Sequence, residues 1–137
     1  MTVFYDWASP PARSVISFCK YAKLPNVSYK EVRLTKNEQK SPEFTRINPK
    51  QQVPAILEVD EESKHSFALS ESHAIMRYLA LTRPGVEPSL YADKEPEQRA
   101  RIDEYLDWHH VGLRFGTNRF VFLKYFSKLR KLPDPTP

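Results

Sequence analysis

The first 82 residues carry short hydrophobic patterns whose period changes repeatedly along the chain. Alternation and an excess of β-forming residues predict four strands, at residues 2–7, 28–34, 53–59 and 66–69. Helical spacing of apolar residues predicts helices over residues 11–21, from Pro42 to just before Asn48, and from Ser70 onward. The order β-α-β-α-β-β-α predicts an α/β fold whose first two strands are parallel and whose last two form an antiparallel hairpin.

The pattern breaks between Thr82 and Pro88, where proline and glycine interrupt the periodicity. A long helix is then predicted from Glu95. Its apolar stripe consists of Ile102, Tyr105, Leu106, His109 and Leu113. This layout resembles a thioredoxin-like domain (1–82), a linker (83–94) and the start of an all-helical domain (95–137). An aromatic-rich segment and a proline-rich tail follow within that last part.

Composition fits a globular chain in a reducing compartment. Of the 137 residues, 40% are hydrophobic and 12% aromatic, so the chain can bury a core. No apolar run approaches the ~18 residues of a membrane span, and the first residues lack the pattern of a signal peptide. The single cysteine has no partner for an internal disulfide. These features predict a cytoplasmic protein without a membrane span.

The formal net charge is +4, and basic residues cluster late in the chain. Six basic residues and no acidic one lie between Arg114 and Lys131. A solvated helix face explains the cluster better than a nucleic-acid or membrane surface, because nothing else resembles a nucleic-acid module. We therefore expect no nucleic-acid partner. Only three glycines are present, which excludes glycine-rich phosphate loops.

Two stretches offer candidate chemistry. Ser9 follows the first predicted strand and precedes Pro10, so its hydroxyl is expected at the N-terminus of the first helix. Val53-Pro54 begins the third predicted strand, where a proline is tolerated. If the two stretches meet, they form a small pocket for an anion or a peptide. The local pattern alone favours a plain helix cap at Ser9 and leaves a plain strand start at Val53 equally open.

The histidines and the cysteine offer little metal or redox chemistry. His109 and His110 are adjacent and would point in different directions on a helix, and His65 and His73 show no ligand spacing. We therefore predict no metal. Cys19 lies on the apolar side of a predicted helix and is expected to be a buried structural thiol. Without a C-x-x-C pair, a thiol-disulfide oxidoreductase is excluded.

Four stretches carry motifs in a consistent order and register. They are S-P-P-A-R at 9–13; S-P-E-F, I-N-P and V-P-A-I within 41–56; L-S-E-S-H-A-I and Y-L within 69–79; and the helix of residues 99–114. Together, over most of residues 1–130, they resemble the cytosolic glutathione transferases, and among them the theta class. Relative to that family the chain looks truncated after the first helix of the C-terminal domain.

The resemblance implies a thioredoxin-like domain followed by an all-α domain, and usually a homodimer. It implies an enzyme whose glutathione thiolate attacks a small hydrophobic electrophile, with glutathione as co-substrate. Theta-class members tend to favour small halides, epoxides and hydroperoxides, so glutathione peroxidase activity is also implied. The alternative is a non-catalytic binding or scaffolding module of the same fold, because helices that wall the electrophile site are missing.

The resemblance also assigns roles to residues around the two candidate stretches. Ser9 would be catalytic, donating a hydrogen bond to the thiolate. Val53 would bind the cysteinyl unit of glutathione through its backbone, beside Pro54. Ser72 would hold the γ-glutamyl carboxylate and Glu71 the ammonium group.

Other family positions are matched less closely. Gln39, Lys40 and Gln52 fall where the family contacts the glycyl carboxylate, although theta members often have a basic residue at the position of Gln52. Arg114 matches a theta arginine near the sulfur. Pro10 departs from the usual polar residue of the serine motif.

Overall fold

The computed structural model describes residues 1–91, 95–121 and 123–124. The chain divides into two compact units, Met1–Tyr91 and Ala92–Pro137. The strands and helices of the first unit are β1 (Thr2–Tyr5), α1 (Pro10–Tyr21), β2 (Ser28–Glu31), α2 (Pro42–Ile47), β3 (Ala55–Val59), β4 (Ser66–Ser70) and α3 (Ser72–Thr82). Two short 3₁₀ turns, Leu34–Lys36 and Glu38–Lys40, connect β2 to α2, and a third, Pro88–Leu90, follows α3.

The four strands form one sheet in the order β2-β1-β3-β4. β1 and β2 are parallel, with Thr2 opposite Ser28 and Tyr5 opposite Glu31. β3 is antiparallel to both β1 and β4. The predicted α/β, thioredoxin-like fold is thereby confirmed. Because β3 alone runs the other way, its amino end lies at the same sheet edge as the carboxyl ends of the other three strands.

Two apolar clusters cover the two faces of this sheet, because successive strand side chains point to opposite faces. The first cluster, on the side of α1 and α3, consists of Val3, Val15, Ile16, Cys19, Ile56, Ile75 and Leu79. The second, on the side of α2, consists of Phe4, Val32, Phe44, Val53 and Ala55. Cys19 is 1% exposed, as expected of a structural thiol.

The first two strands end earlier than their patterns predict. β1 stops at Tyr5 because the Asp6 carboxylate accepts the N–H of Ala8 and turns the chain. β2 stops at Glu31, and Leu34, the last residue of the predicted strand, instead begins a 3₁₀ turn. Both strands end at the edge of the sheet where β3 begins.

Two other boundaries also differ from prediction. β3 begins at Ala55 instead of Val53, because Pro54 has no N–H to give to a strand ladder. Ser70 was expected to open a helix, but it pairs with Ala55 as the last residue of β4. α3 begins at Ser72, after Glu71 has reversed the chain with a positive φ of 73°.

In the second unit the predicted long helix is interrupted. α4 (Pro96–Trp108) is followed by a π-helical segment, His109–Arg114, and then by α5 (Phe115–Val121). The segment places Gly112 against Trp108, where a Cβ would lie only 2.9 Å from the indole Nε1. Residues 92–94 of the predicted linker and most of the predicted aromatic-rich and proline-rich segments beyond Val121 lie outside the described residues. Among the described helices, none is both long and apolar enough to span a membrane.

Candidate functional site

Ser9 caps the N-terminus of α1. Its backbone is extended, with φ −90° and ψ 107°, and its Oγ accepts a hydrogen bond from the N–H of Ala12 at 3.4 Å. Pro10 occupies the first helical position, where the missing N–H costs nothing. The departure at Pro10 therefore leaves the cap intact. The hydroxyl lies at the positive end of a helix dipole, a favourable place for a negative group.

The hydroxyl of Ser9 also reaches the other candidate stretch. It donates to the backbone carbonyl of Val53, with an Oγ–O distance of 3.3 Å. Ser9 is 7% and Val53 8% exposed, so this contact is buried. The Val53-Pro54 peptide bond is cis. The chain thus folds so that Ser9 and Val53, 44 positions apart in the sequence, come into contact.

Asn48 shapes the turn that delivers Val53. It is 2% exposed, its side-chain amide donates to the carbonyl of Gln52 at 2.7 Å, and its Oδ1 accepts the N–H of Lys50 at 3.1 Å. Gln51 supports the turn with a left-handed φ of 55°. The Gln52 carbonyl is therefore committed to Asn48, whereas the Gln52 side chain belongs to an exposed residue.

Glu71 and Ser72 lie at the same sheet edge as Val53. Ser70, the last residue of β4, pairs with Ala55, the first residue of β3. Ser72 is 2% exposed at the first position of α3. The Glu71 carboxylate forms no capping hydrogen bond with α3. This carboxylate is instead paired with Lys50, whose Nζ lies 3.1 Å from Oε1.

The segment between β2 and α2 is fastened to the turn that carries Ser9. The Asp6 carboxylate accepts the N–H of Leu34 at 2.7 Å, in addition to that of Ala8. Farther along, the Arg33 guanidinium donates to the Glu38 carboxylate at 2.7 Å and lowers the pKa of that carboxyl.

Gln39 and Lys40 follow in this segment. Gln39 is 9% exposed, and its buried Oε1 has no hydrogen-bond partner among the described residues. An orphaned buried acceptor is uncommon in folded proteins, and a bound donor is one way to satisfy it. Lys40 is exposed, and its ammonium can reach a ligand without the cost of burying a charge.

Arg114 belongs to the second unit, at the end of its π-helical segment. It is partly buried, and its charge contributes, after burial, to lowering the pKa of His109. The assignment of Arg114 to the glutathione site stays a prediction of the family resemblance.

Three residues that shape this edge were missed at the sequence level: Asp6, Asn48 and Lys50. Asp6 and Asn48 had a local signal, since each sits two residues before an N–H that it accepts, as Asx turns do. Lys50 had none, because its partner Glu71 lies 21 residues away. Within the described residues, no group of three or more metal-ligating side chains is present.

Comparison with known proteins shows the family to which the chain belongs. Residues 2–81 match the family "Glutathione S-transferase, N-terminal domain". The chain therefore belongs to the glutathione S-transferase family, and the resemblance to its theta class is confirmed by the relatives it matches.

Glutathione S-transferase T1 of Arabidopsis thaliana is 40% identical over 135 residues, which are 97% of this chain and 51% of that protein. Glutathione S-transferase theta-1 of Mus musculus is 36% identical over 124 residues, or 90% and 48% of the two chains. Human glutathione transferase theta-2, solved with glutathione and an unknown ligand, superposes with a TM-score of 0.82 at 30% identity. That match covers 98% of this chain and 52% of the human one. The chain thus spans about half the length of these relatives.

Proposed function

We propose that this chain binds glutathione at the Ser9 edge of its sheet and transfers the thiolate to small electrophiles, as a theta-class glutathione transferase. The observation that carries the proposal is the buried contact between the Ser9 hydroxyl and the Val53 carbonyl at the N-terminus of α1. It joins a proton donor for a thiolate to a backbone edge for a peptide. Both groups belong to residues that are less than 9% exposed, where hydrogen bonds are stronger than in water.

The hydroxyl has a single proton, and in the described structure that proton is given to Val53. In our proposal the cysteinyl N–H of glutathione donates a hydrogen bond to the Val53 carbonyl, as a strand added to the sheet would. The Ser9 proton then turns to the sulfur, while Oγ continues to accept the N–H of Ala12. The Oγ–O distance of 3.3 Å is at the weak end for a hydrogen bond of this kind, so the exchange costs little.

A thiolate placed here would be stabilised by the Ser9 hydroxyl and by the dipole of a 12-residue helix. An ordinary thiol has a pKa of about 8.5, and each unit by which that pKa falls corresponds to about 1.4 kcal/mol. A fall of one to two units would make the thiolate a substantial fraction of bound glutathione at neutral pH. The nucleophile of the reaction would then be present before the electrophile arrives.

The γ-glutamyl end of glutathione is proposed to bind at the start of α3. Its carboxylate would meet the backbone N–H and hydroxyl of Ser72, and its ammonium the Glu71 carboxylate. Lys50 now pairs with that carboxylate, but both side chains are about half exposed. Pairs of this kind are worth about 0–1 kcal/mol, so the ammonium of glutathione can share or replace Lys50.

The glycyl end is proposed to meet Gln39, Lys40 and Gln52. The Oε1 of Gln39 is a buried acceptor without a partner among the described residues, and an N–H group of glutathione would satisfy it as a hydrogen-bond donor. This supports the proposed position. Lys40 would supply the positive charge for the carboxylate. Gln52 offers a neutral amide instead of the basic residue common in theta members, which predicts moderate affinity for glutathione.

In the proposed reaction a carbon–sulfur bond forms as the leaving group departs. With an alkyl halide the halide takes the electron pair; with an epoxide the ring oxygen takes it and then a proton. With a hydroperoxide, two glutathione molecules become a disulfide while the peroxide is reduced to an alcohol and water. A role for Arg114 and a homodimer stay predictions of the family resemblance, and a cytoplasmic location stays a prediction from the composition.

The test is calorimetric titration of the 137-residue chain with glutathione, followed by turnover assays with an alkyl halide, an epoxide and a hydroperoxide. Saturable binding together with turnover of any of these supports the proposal. Binding without turnover would favour a binding or scaffolding module, and absence of both would refute the proposal and leave only the fold.

A further inference from the structure

We propose that Asp6 is a positioning residue for the thiolate, because it fixes the turn that carries Ser9 and fastens that turn to the segment leading to Gln39. This inference rests on the function proposed above. Asp6 touches neither the hydroxyl of Ser9 nor the Val53 carbonyl among the hydrogen bonds of the site. It would act only through the backbone on which Ser9 is mounted.

Each oxygen of the Asp6 carboxylate accepts one short hydrogen bond from a backbone N–H. Asp6 is 8% exposed, Oδ1 accepts the N–H of Ala8 at 2.7 Å, and Oδ2 accepts the N–H of Leu34 at 2.7 Å. Its backbone carbonyl also accepts the N–H of Ser9 at 3.0 Å. Ser9 therefore follows a turn held at three points by one residue. Bonds from backbone N–H to a carboxylate are among the stronger hydrogen bonds of proteins.

The contact with Leu34 links two parts of the proposed pocket. Leu34 starts the 3₁₀ turn after β2, and the next 3₁₀ turn contains Gln39 and Lys40. One oxygen of Asp6 thus holds the sulfur end of the site, and the other holds the segment proposed for the glycyl end. A shift of about 1 Å in a catalytic group can cost a hundredfold in rate, so this link bears directly on activity.

Only a carboxylate suits this place. Two N–H donors approach two separate oxygens, and an asparagine of the same shape would present an NH₂ group to one of them. Asp6→Asn therefore preserves the size of the side chain but brings its NH₂ group against the backbone N–H of either Ala8 or Leu34. The turn would relax away from Leu34 or Ala8, and the Ser9 hydroxyl would lose its direction.

The experiment compares Asp6→Asn with Asp60→Asn. Asp60 is a matched control, since its carboxylate also accepts backbone N–H groups, from Glu62 at 3.0 Å and Ser63 at 3.4 Å, in the exposed turn between β3 and β4. The ultraviolet absorbance of the glutathione thiolate is titrated against pH on each protein, and kcat and KM are measured with one alkyl halide.

We expect Asp6→Asn to raise the titration midpoint of bound glutathione by about one pH unit, which is a tenfold smaller thiolate fraction below both midpoints. We expect kcat to fall by a similar factor while the KM for glutathione stays within about threefold. Asp60→Asn should match the wild type in both. An Asp6→Asn protein that is folded, binds glutathione and keeps the wild-type midpoint would overturn the inference, whatever its stability.

A second variant covers the case in which Asp6→Asn does not fold. Leu34→Pro removes the N–H that Oδ2 accepts and leaves Asp6 unchanged, at a first helical position that suits proline. The same rise in midpoint is expected, and an unchanged midpoint would again overturn the inference.

Failure of the proposed function has a different signature. In that case the wild-type protein would not bind glutathione, or would bind it with the pKa of the free thiol. Amide exchange in the wild-type protein then still tests the anchor itself: slow exchange at Ala8 and Leu34 supports it, and fast exchange at both contradicts it.

Discussion

Replacing Ser9 by alanine removes two hydrogen bonds and, in our account, the donor to the thiolate. Loss of a serine cap costs about 1 kcal/mol of folding free energy. Leaving the buried Val53 carbonyl without its donor costs about 1 kcal/mol more. Because the two contacts are long, at 3.4 and 3.3 Å, we expect the total at the low end of about 1–2 kcal/mol. This loss is to be measured by urea unfolding.

The effect of Ser9→Ala on activity should be larger at low pH than at high pH. If the hydroxyl lowers the thiol pKa by about one unit, its removal lowers the thiolate fraction about tenfold at a pH below both midpoints. kcat/KM should fall by this factor near pH 6 and recover much of it above pH 9, where the thiol ionises without help. Binding of glutathione itself should change little, because Ser9 is proposed to contact only the sulfur.

Ser41→Ala is the matched control. Ser41 caps α2 by accepting the N–H of Phe44 at 3.2 Å and is followed by Pro42, so it repeats the arrangement of Ser9 and Pro10. It should lose a similar amount of stability and keep the pH dependence of the wild type. If Ser9→Ala and Ser41→Ala give the same pH–rate profile as the wild type, the hydroxyl has no part in activating the thiol.

Three further variants test the frame around the site. Burial raises the pKa of Cys19 from 9.0 to about 11. Between these two pH values the folded thiol stays protonated while the unfolded one ionises. The free energy of unfolding is therefore retained below pH 9 and falls by about 1.4 kcal/mol per pH unit up to about pH 11. Cys19→Ala should show a smaller fall in urea stability over that range, and parallel curves would contradict the assignment. Asn48→Ala should lose about 2 kcal/mol in urea unfolding and weaken calorimetric glutathione binding, because two partly buried hydrogen bonds of the Val53 turn disappear; unchanged binding would show that this turn does not position Val53. Gln52→Lys should tighten glutathione binding about fivefold, or about 1 kcal/mol. It should leave the binding of γ-glutamylcysteine unchanged, because that dipeptide lacks the glycyl unit. An equal gain in affinity for both ligands would place residue 52 away from the glycyl end.

Local signals predicted much of the fold and part of the site. Ser9 before Pro10 reads as a cap, and Val53-Pro54 as the start of a strand, because each depends on its immediate neighbours. The alternating segments and their connections are likewise local features, and they predicted the parallel pair β1–β2 and the antiparallel pair β3–β4. Their ends were less predictable, since Ser70 looks like a helix cap but is held in β4 by Ala55.

The remaining features depend on contacts between distant residues. Asp6 reads from sequence as the end of a strand, and only the fold brings Leu34, 28 residues away, to its second oxygen. Glu71 carries a recognisable motif, but its pairing with Lys50 requires the turn around Asn48. Such contacts leave no periodic trace, because neither partner is constrained by residues beside it in the chain.

The central claim is that this edge of the sheet binds glutathione and lowers the pKa of its thiol. The most direct measurement is the ultraviolet titration of glutathione on the wild-type chain, compared with free glutathione under the same conditions. The account predicts a thiolate midpoint at least one pH unit below that of the free tripeptide. Bound glutathione that titrates with the midpoint of the free thiol would contradict it.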